Sequence, residues 1–262
     1  MPTQFAIVTG ASSGIGLALA GELASRGYDL AICAEDDRLN DAAGSLQSTG
    51  VNVVAIQADL ATREGVEQFW KEVEATGRDI DIACINAGVG VGGLFAETDL
   101  DAEINMINLN CTGTVHIAKY VVQHMLRRGE GRILITSSIA GEMVAPREAV
   151  YAATKSFDLT FAHSLRYELR DTGVSVTALQ PGPTDTDFFR RAGLEDTEIG
   201  SEGKSDSQPE DVARQGIEAL LAGKDHVYSA SLKTKVEGML ANMTPGSVKG
   251  AMHEKMSKPK AS

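Results

Sequence analysis

Basic residues are scarce in this chain: 24 Lys and Arg stand against 36 Asp and Glu, a formal net charge of −12. Affinity for a nucleic-acid backbone needs clustered cations, so no nucleic-acid partner is expected. A dinucleotide stays open, because backbone N–H groups hold phosphate without cationic side chains. Cysteine is rarer still. Cys33, Cys84 and Cys111 form an odd set without paired spacing, each in or beside an apolar run. That excludes a disulfide framework and suits small buried residues in a reducing compartment. The five histidines (His116, His124, His163, His226 and His253) are scattered, so no metal site is expected. No apolar run approaches the ~18 residues of a membrane span, so no membrane association is expected. A basic-then-apolar leader is also missing, and a glycine loop begins already at Thr9. The expected location is the cytoplasm.

What the chain does have is core-forming material, 43% hydrophobic over 262 residues. That length suits one large α/β domain or two small ones. Short apolar runs at Phe5–Thr9, Leu30–Cys33, Val51–Gln57, Ile80–Ile85, Arg132–Ser137 and Val174–Leu179 read as strands. Helical periodicity fills the intervals, at Gly14–Arg26, Asp37–Gln47, Arg63–Ala75, Leu100–Arg128 and Ala149–Arg170. Repeated βαβ units mean a parallel sheet with helices on both faces, a three-layer doubly wound α/β fold of about seven strands. No linker or charge block divides the chain, so residues 1–262 are expected to form a single domain. The Gly/Ser/Asp/Glu-rich stretch Gly193–Pro209 follows a strand's C-terminal end, where ligands of such sheets bind. Residues 183–209 are therefore expected to be a substrate loop. Apolar residues at near-helical spacing in residues 231–262 suggest a helical tail that caps the pocket or reaches a neighbouring subunit.

After the first strand the chain reads Thr9-Gly10-Ala11-Ser12-Ser13-Gly14-Ile15-Gly16. Glycines at this junction allow a sharp turn, close approach to a pyrophosphate and tight packing of the following helix. Further along, Tyr151 and Lys155 are four residues apart on a predicted helix and share one face. A free tyrosine is a poor acid/base catalyst at neutral pH, and a neighbouring ammonium stabilises its phenolate. Such a pair alone arises often by chance. The pair follows a strand ending in Thr136-Ser137-Ser138, with Ser138 thirteen residues before Tyr151.

In these features the sequence resembles the short-chain dehydrogenase/reductase family, from Phe5 to about Thr186 and more loosely beyond. The family's cofactor loop reads T-G-x-x-x-G-x-G, matched here at Gly10, Gly14 and Gly16. Ser12, Ser13 and Ile15 complete that loop. Asp59-Leu60 falls where the family places an acidic side chain near the adenine. Asn86-Ala87-Gly88 looks like the family's N-A-G motif. Pro181-Gly182 falls where the family's backbone turns to the nicotinamide amide. Thr184 replaces the usual aliphatic residue, and Thr186 matches a frequent phosphate or amide contact. Asn110, in Asn110-Cys111-Thr112-Gly113, matches the asparagine of N-x-x-G. The resemblance implies a catalytic set of Asn110, Ser138, Tyr151 and Lys155. Tyr151 would exchange a proton with the substrate oxygen, and Ser138 would hydrogen-bond that oxygen. Lys155 would lower the Tyr151 pKa and hold the nicotinamide ribose, with Asn110 fixing a water beside it.

The expected function is hydride transfer between a nicotinamide dinucleotide and a ketone or secondary alcohol. The expected substrate is a small and moderately hydrophobic molecule. After the second strand the chain reads Cys33-Ala34-Glu35-Asp36-Asp37-Arg38. A carboxylate there accepts hydrogen bonds from the adenine ribose, whereas a 2′-phosphate needs a cation. Glu35 is the expected discriminator, favouring NAD(H) without excluding NADP(H). A homo-oligomer, tetramer or dimer, is implied by the resemblance and by apolar Val115, Ala118, Val122, Phe157, Phe161 and Leu165. The competing readings are a catalytically silent dinucleotide sensor, a nucleotide-sugar epimerase and a methyltransferase. An intact proton-donor set argues against the first, and the loop spacing and short remainder argue against the second. The third leaves Tyr151 and Lys155 without a role.

Overall fold

The computed structural model describes residues 3–197 and 207–229, together with His253, Met256 and Lys258. Among the described residues, seven strands form one all-parallel sheet in the order β3-β2-β1-β4-β5-β6-β7. They are β1 (Phe5–Thr9), β2 (Asp29–Ala34), β3 (Val53–Gln57), β4 (Ile82–Ile85), β5 (Gly131–Thr136), β6 (Val174–Pro181) and β7 (His226–Ser229). Strands β1, β2 and β4 are buried on both faces and read as continuous apolar runs. Strand β3 is an edge and is half-exposed.

Alternation along β1 assigns the two faces. Phe5 and Ile7 join a core made with helices α3 (Arg63–Ala75), α5 (Thr114–Arg128) and α6 (Ala149–Glu168). Ala6 and Val8 join a second core with α1 (Gly14–Ser25), α2 (Arg38–Gln47) and α8 (Pro209–Leu221). The chain order reverses between β1 and its two neighbours, β2 and β4. A crevice therefore opens at the C-terminal ends of these strands.

Local chemistry explains most boundaries. Thr62 caps α3 by accepting from the Gly65 N–H. Gly129 ends α5 in the left-handed conformation, φ +86°. One expected helix differs from the periodic reading. Leu100–Arg128 divides into α4 (Leu100–Ile107), a π-helical turn (Asn108–Gly113) and α5. Gly113 marks the physical reason: a Cβ there would lie 2.4 Å from the Leu60 carbonyl oxygen. A short 3₁₀ turn (Ile139–Glu142) follows β5, and α7 (Phe188–Arg191) lies within the expected substrate loop. Residues 198–206 of that loop, and the tail at 231–262 apart from His253, Met256 and Lys258, lie outside the described residues.

Candidate active site

Every residue expected to touch a cofactor lines one cleft above the C-terminal ends of the strands. The glycine loop forms its floor. Gly10 (φ +68°) and Gly14 (φ +56°) adopt left-handed backbone that side chains resist. A Cβ on Gly16 would lie 2.0 Å from the Gly10 carbonyl oxygen and 2.6 Å from Asn86 Nδ2. Helix α1 begins at Gly14 with no side-chain cap from Ser13 and no acidic residue in its first turn. Its first N–H groups and partial positive charge thus face the cleft beside Ser12, Ser13 and Ile15, which suits the pyrophosphate of a dinucleotide.

A polar weld fixes this loop to the sheet. Thr9 Oγ1 accepts from the backbone N–H of Asn86 at 2.9 Å and of Ala87 at 3.0 Å. Asn86 Nδ2 donates to the Thr9 carbonyl at 3.1 Å, and Asn86 Oδ1 accepts from the Thr136 hydroxyl at 3.0 Å. The ends of β1, β4 and β5 are therefore held together where the cleft opens.

At the far end of the cleft, β2 delivers Glu35 and Asp36, and the segment after β3 delivers Asp59 and Leu60. Glu35 is exposed. Asp36 is the more constrained carboxylate. It accepts from Ser12 Oγ at 3.0 Å and from the Arg38 guanidinium at 2.9 and 2.7 Å. The Arg38 hydrogen bonds outweigh burial, with Ser12 assisting, and hold the Asp36 carboxyl down at about 2. Arg191 also lines the cleft and donates to Ser13 Oγ at 3.3 Å. Neither Asp36 nor Arg191 was singled out by sequence. Asp36 sits beside the expected Glu35, whereas Arg191 arrives through a loop that no motif marks.

The reacting end is built by β5, α6 and the segment after β6. Ser138 leaves β5 in extended backbone and accepts from the Ala140 N–H at 3.1 Å. Tyr151 lies in the first turn of α6, buried, with its ring 5.2 Å from that of Phe188. Burial and then the Glu148 carboxylate push its hydroxyl above the ordinary tyrosine range, while a hydrogen bond with Ser138 opposes them. Lys155 Nζ donates to the Thr136 carbonyl at 2.9 Å and to Asp158 Oδ2 at 3.0 Å. The ammonium is thereby paired with a carboxylate.

Asn110 does not line the cleft; it stands behind it, fully buried in the π turn. Its Oδ1 accepts from the Val89 N–H at 3.0 Å, and its Nδ2 donates to the Val89 carbonyl and to Thr154 Oγ1, each at 3.0 Å. Gly88 crosses close above: a Cβ there would lie 3.2 Å from Asn110 Oδ1 and 3.3 Å from Lys155 Nζ. Pro181 and Gly182 end β6 at the cleft. Thr184 turns its hydroxyl onto the Gly182 carbonyl at 2.8 Å, and the Thr186 methyl packs on Gly14. Sequence reasoning missed Glu148 on the cleft wall, where His253 and Met256, from the tail expected to cap the pocket or reach a neighbour, also lie. His253 Nε2 lies 2.8 Å from Glu148 Oε2, and both side chains are buried. Cys33 and Cys84 are buried thiols pushed up to about 12 by desolvation, without a part in the cleft.

This cleft defines a dinucleotide-dependent enzyme, and comparison with known proteins gives its family. Residues 4–196 match the family model for short chain dehydrogenase, and the chain belongs to that family. It is 37% identical over 235 residues to 1-deoxy-11-beta-hydroxypentalenate dehydrogenase of Streptomyces exfoliatus, covering 88% of this chain and 84% of that one. Among solved structures it is similar to a short-chain dehydrogenase from Sphingobium yanoikuyae in complex with NADPH. There the TM-score is 0.77 and the identity 29%, covering 86% of this chain and 87% of that one. An alcohol dehydrogenase from Thermococcus sibiricus complexed with 5-hydroxy-NADP gives a TM-score of 0.75 at 28% identity, covering 87% and 97%. The protein is an NAD(P)-dependent oxidoreductase that works between an alcohol and a carbonyl.

Proposed function

We propose that Tyr151 is the acid/base catalyst of this oxidoreductase. The observation that carries the reading is the convergence of Tyr151, Ser138 and Lys155 on one cleft with the open N-terminus of α1. In alcohol oxidation the Tyr151 phenolate takes the hydroxyl proton as the C–H hydride leaves; in carbonyl reduction the phenol returns it. Ser138 donates to the reacting oxygen and stabilises the charge that develops there. The nicotinamide, when bound, supplies the hydride chemistry. Lys155 has three ammonium hydrogens, of which Thr136 and Asp158 take two. The third is left for the ribose and the phenol. Asn110 holds the Gly88–Val89 turn over Lys155, which makes it a positioning residue for that ammonium.

Asp36, with Glu35 beside it, supports NAD(H) as the preferred cofactor, with NADP(H) used less well. Met143, Phe188, Phe189 and Val89 line the cleft near Tyr151 and support a moderately hydrophobic ketone or secondary alcohol as substrate. The single sheet supports one dinucleotide-binding domain, and the unpaired thiols support a cytoplasmic location. Of the apolar residues that suggested a homo-oligomer, Ala118 lies in the core, Val122, Phe161 and Leu165 pack against it, and Phe157 is exposed; with Leu100, Ile104 and Leu126, Phe157 leaves apolar surface on α4, α5 and α6 that supports an oligomer.

The test is turnover against a panel of ketones and secondary alcohols. Tyr151→Phe should keep cofactor binding and lower kcat by ~10²-fold or more. Lys155→Ala should damage both rate and cofactor affinity. Near wild-type turnover by Tyr151→Phe removes Tyr151 from the mechanism.

A further inference from the structure

Lys155 supports the proton transfer assigned to Tyr151, and its ammonium is held by a side chain that the scheme above does not use. Asp158 lies three residues further along α6 and so faces the same way as Lys155. Its side chain is 1% exposed, with Oδ2 at 3.0 Å from Lys155 Nζ. Its other oxygen, Oδ1, is buried without a hydrogen-bond partner. A half-satisfied buried carboxylate is a poor way to stabilise a helix that packs Leu159 and Ala162 into the adjoining core. An apolar side chain of similar volume would serve packing better. The carboxylate makes physical sense through the cation it meets.

We infer that Asp158 is a positioning residue of the reaction: it anchors the Lys155 ammonium and tempers its charge at Tyr151. The inference rests on the proposed role of Tyr151. With Thr136 fixing one N–H and Asp158 another, Lys155 keeps a single orientation and one free N–H. Without Asp158 the ammonium acts on the phenol at full charge.

The charged and titratable groups around the pair are few. Tyr151 feels Glu148, just before α6, and Asp158 on α6, with Glu148 in turn paired to His253; Lys155 lies one turn along the same helix face. Asp158 faces Lys155 and, from the π turn, Cys111, whose thiol is pushed up to about 11 by burial and then by Asp158. Cys111 is therefore neutral in the working range. Burial raises Tyr151 most, Glu148 follows, and Asp158 adds to both against Ser138. Removing the Asp158 charge subtracts one raising influence and frees a lowering one. Both changes favour the phenolate, so ionisation of Tyr151 must move to lower pH.

The test follows tyrosinate formation by ultraviolet difference absorbance with NAD⁺ bound and no substrate. Subtracting Tyr151→Phe from the wild type isolates Tyr151; subtracting the Asp158→Asn/Tyr151→Phe double variant from Asp158→Asn isolates it in the variant. The midpoint is expected ~1 pH unit or more lower in Asp158→Asn. Asp158→Val makes the same charge change with different hydrogen bonding and should shift it the same way. An unmoved midpoint in folded Asp158→Asn and Asp158→Val overturns the inference. So does failure of both to fold, because Asp158 would then serve the fold alone. Failure of the Tyr151 role reads out separately, as turnover that survives Tyr151→Phe while the spectroscopic shift remains.

Discussion

Cofactor choice is where the geometry makes its sharpest quantitative demand. Asp36 is held ionised by two hydrogen bonds from the Arg38 guanidinium, one from the Arg38 backbone N–H and one from Ser12 of the glycine loop, so its charge is fixed at the rim of the cleft. A 2′-phosphate placed ~4 Å from that carboxylate would be repelled by ~4 kcal/mol per charge pair at an effective dielectric of ~20. Solvent at a side chain 31% exposed weakens this, leaving ~1–3 kcal/mol, which is ~5- to 150-fold in specificity. Asp36→Ala acts twice. It removes the anion, and it frees the Arg38 guanidinium, whose remaining carboxylate is Asp187 at 3.4 Å. Stability should change little, because the Asp36–Arg38 pair lies near the surface. The assay is kcat/KM for NADH and NADPH with one carbonyl substrate. The wild type should favour NADH, and Asp36→Ala should move the ratio toward NADPH by ~10-fold or more. Glu35→Arg should move it the same way by supplying a cation, and the two adjacent changes need not add. A wild type that uses NADPH as well as NADH, or a ratio that Asp36→Ala leaves unchanged, refutes the reasoning.

Two further outcomes follow from packing. Gly16→Ala would force a Cβ to within 2.0 Å of the Gly10 carbonyl and so push the glycine loop off the sheet. We expect a lower Tm, with a cost of ~1–3 kcal/mol, and at least ~10-fold weaker cofactor binding by fluorescence titration; unchanged binding would show that the loop is not the phosphate cradle. In solution the protein should be a dimer or tetramer, burying the exposed apolar side chains of α4, α5 and α6. Light scattering that returned the 27.7 kDa of one chain at micromolar concentration would reject this.

Much of the fold is legible in the sequence because a parallel sheet buries its strands on both faces. Runs such as FAIVT and the strand ending at Cys33 carry that burial in plain view. Strand β7 (HVYS) escapes the same reasoning: it is a four-residue edge strand carrying His226 and Tyr228, only partly buried. Helix α8 does carry a start signal, Pro209 at its first position followed by Glu210 and Asp211, but it sits at the end of an irregular stretch. The break at Asn108–Gly113 is hidden because the group that Gly113 closes on, the Leu60 carbonyl, lies 53 residues upstream in the chain.

The site divides along the same line. Residues whose role depends on backbone shape or fixed spacing, the three glycines and the Ser138–Tyr151–Lys155 series, are readable one-dimensionally. Roles set by side-chain partners are not. Glu35 and Asp36 are neighbours of equal charge, and only the bonds from Ser12 and Arg38 distinguish the constrained one. Asp158 reads as an ordinary solvated position on a helix until its burial against Lys155 is seen. The spacing of Tyr151 and Lys155 implies an ammonium acting directly on a phenol, whereas the structure supplies a third group that shares the cation. A motif thus specifies which residues meet, and the charge each one carries at the meeting point depends on neighbours the motif does not contain. In this cleft that neighbour is three residues beyond the motif's end, which is why the acid/base behaviour of Tyr151 must be measured with Asp158 varied as well as Lys155.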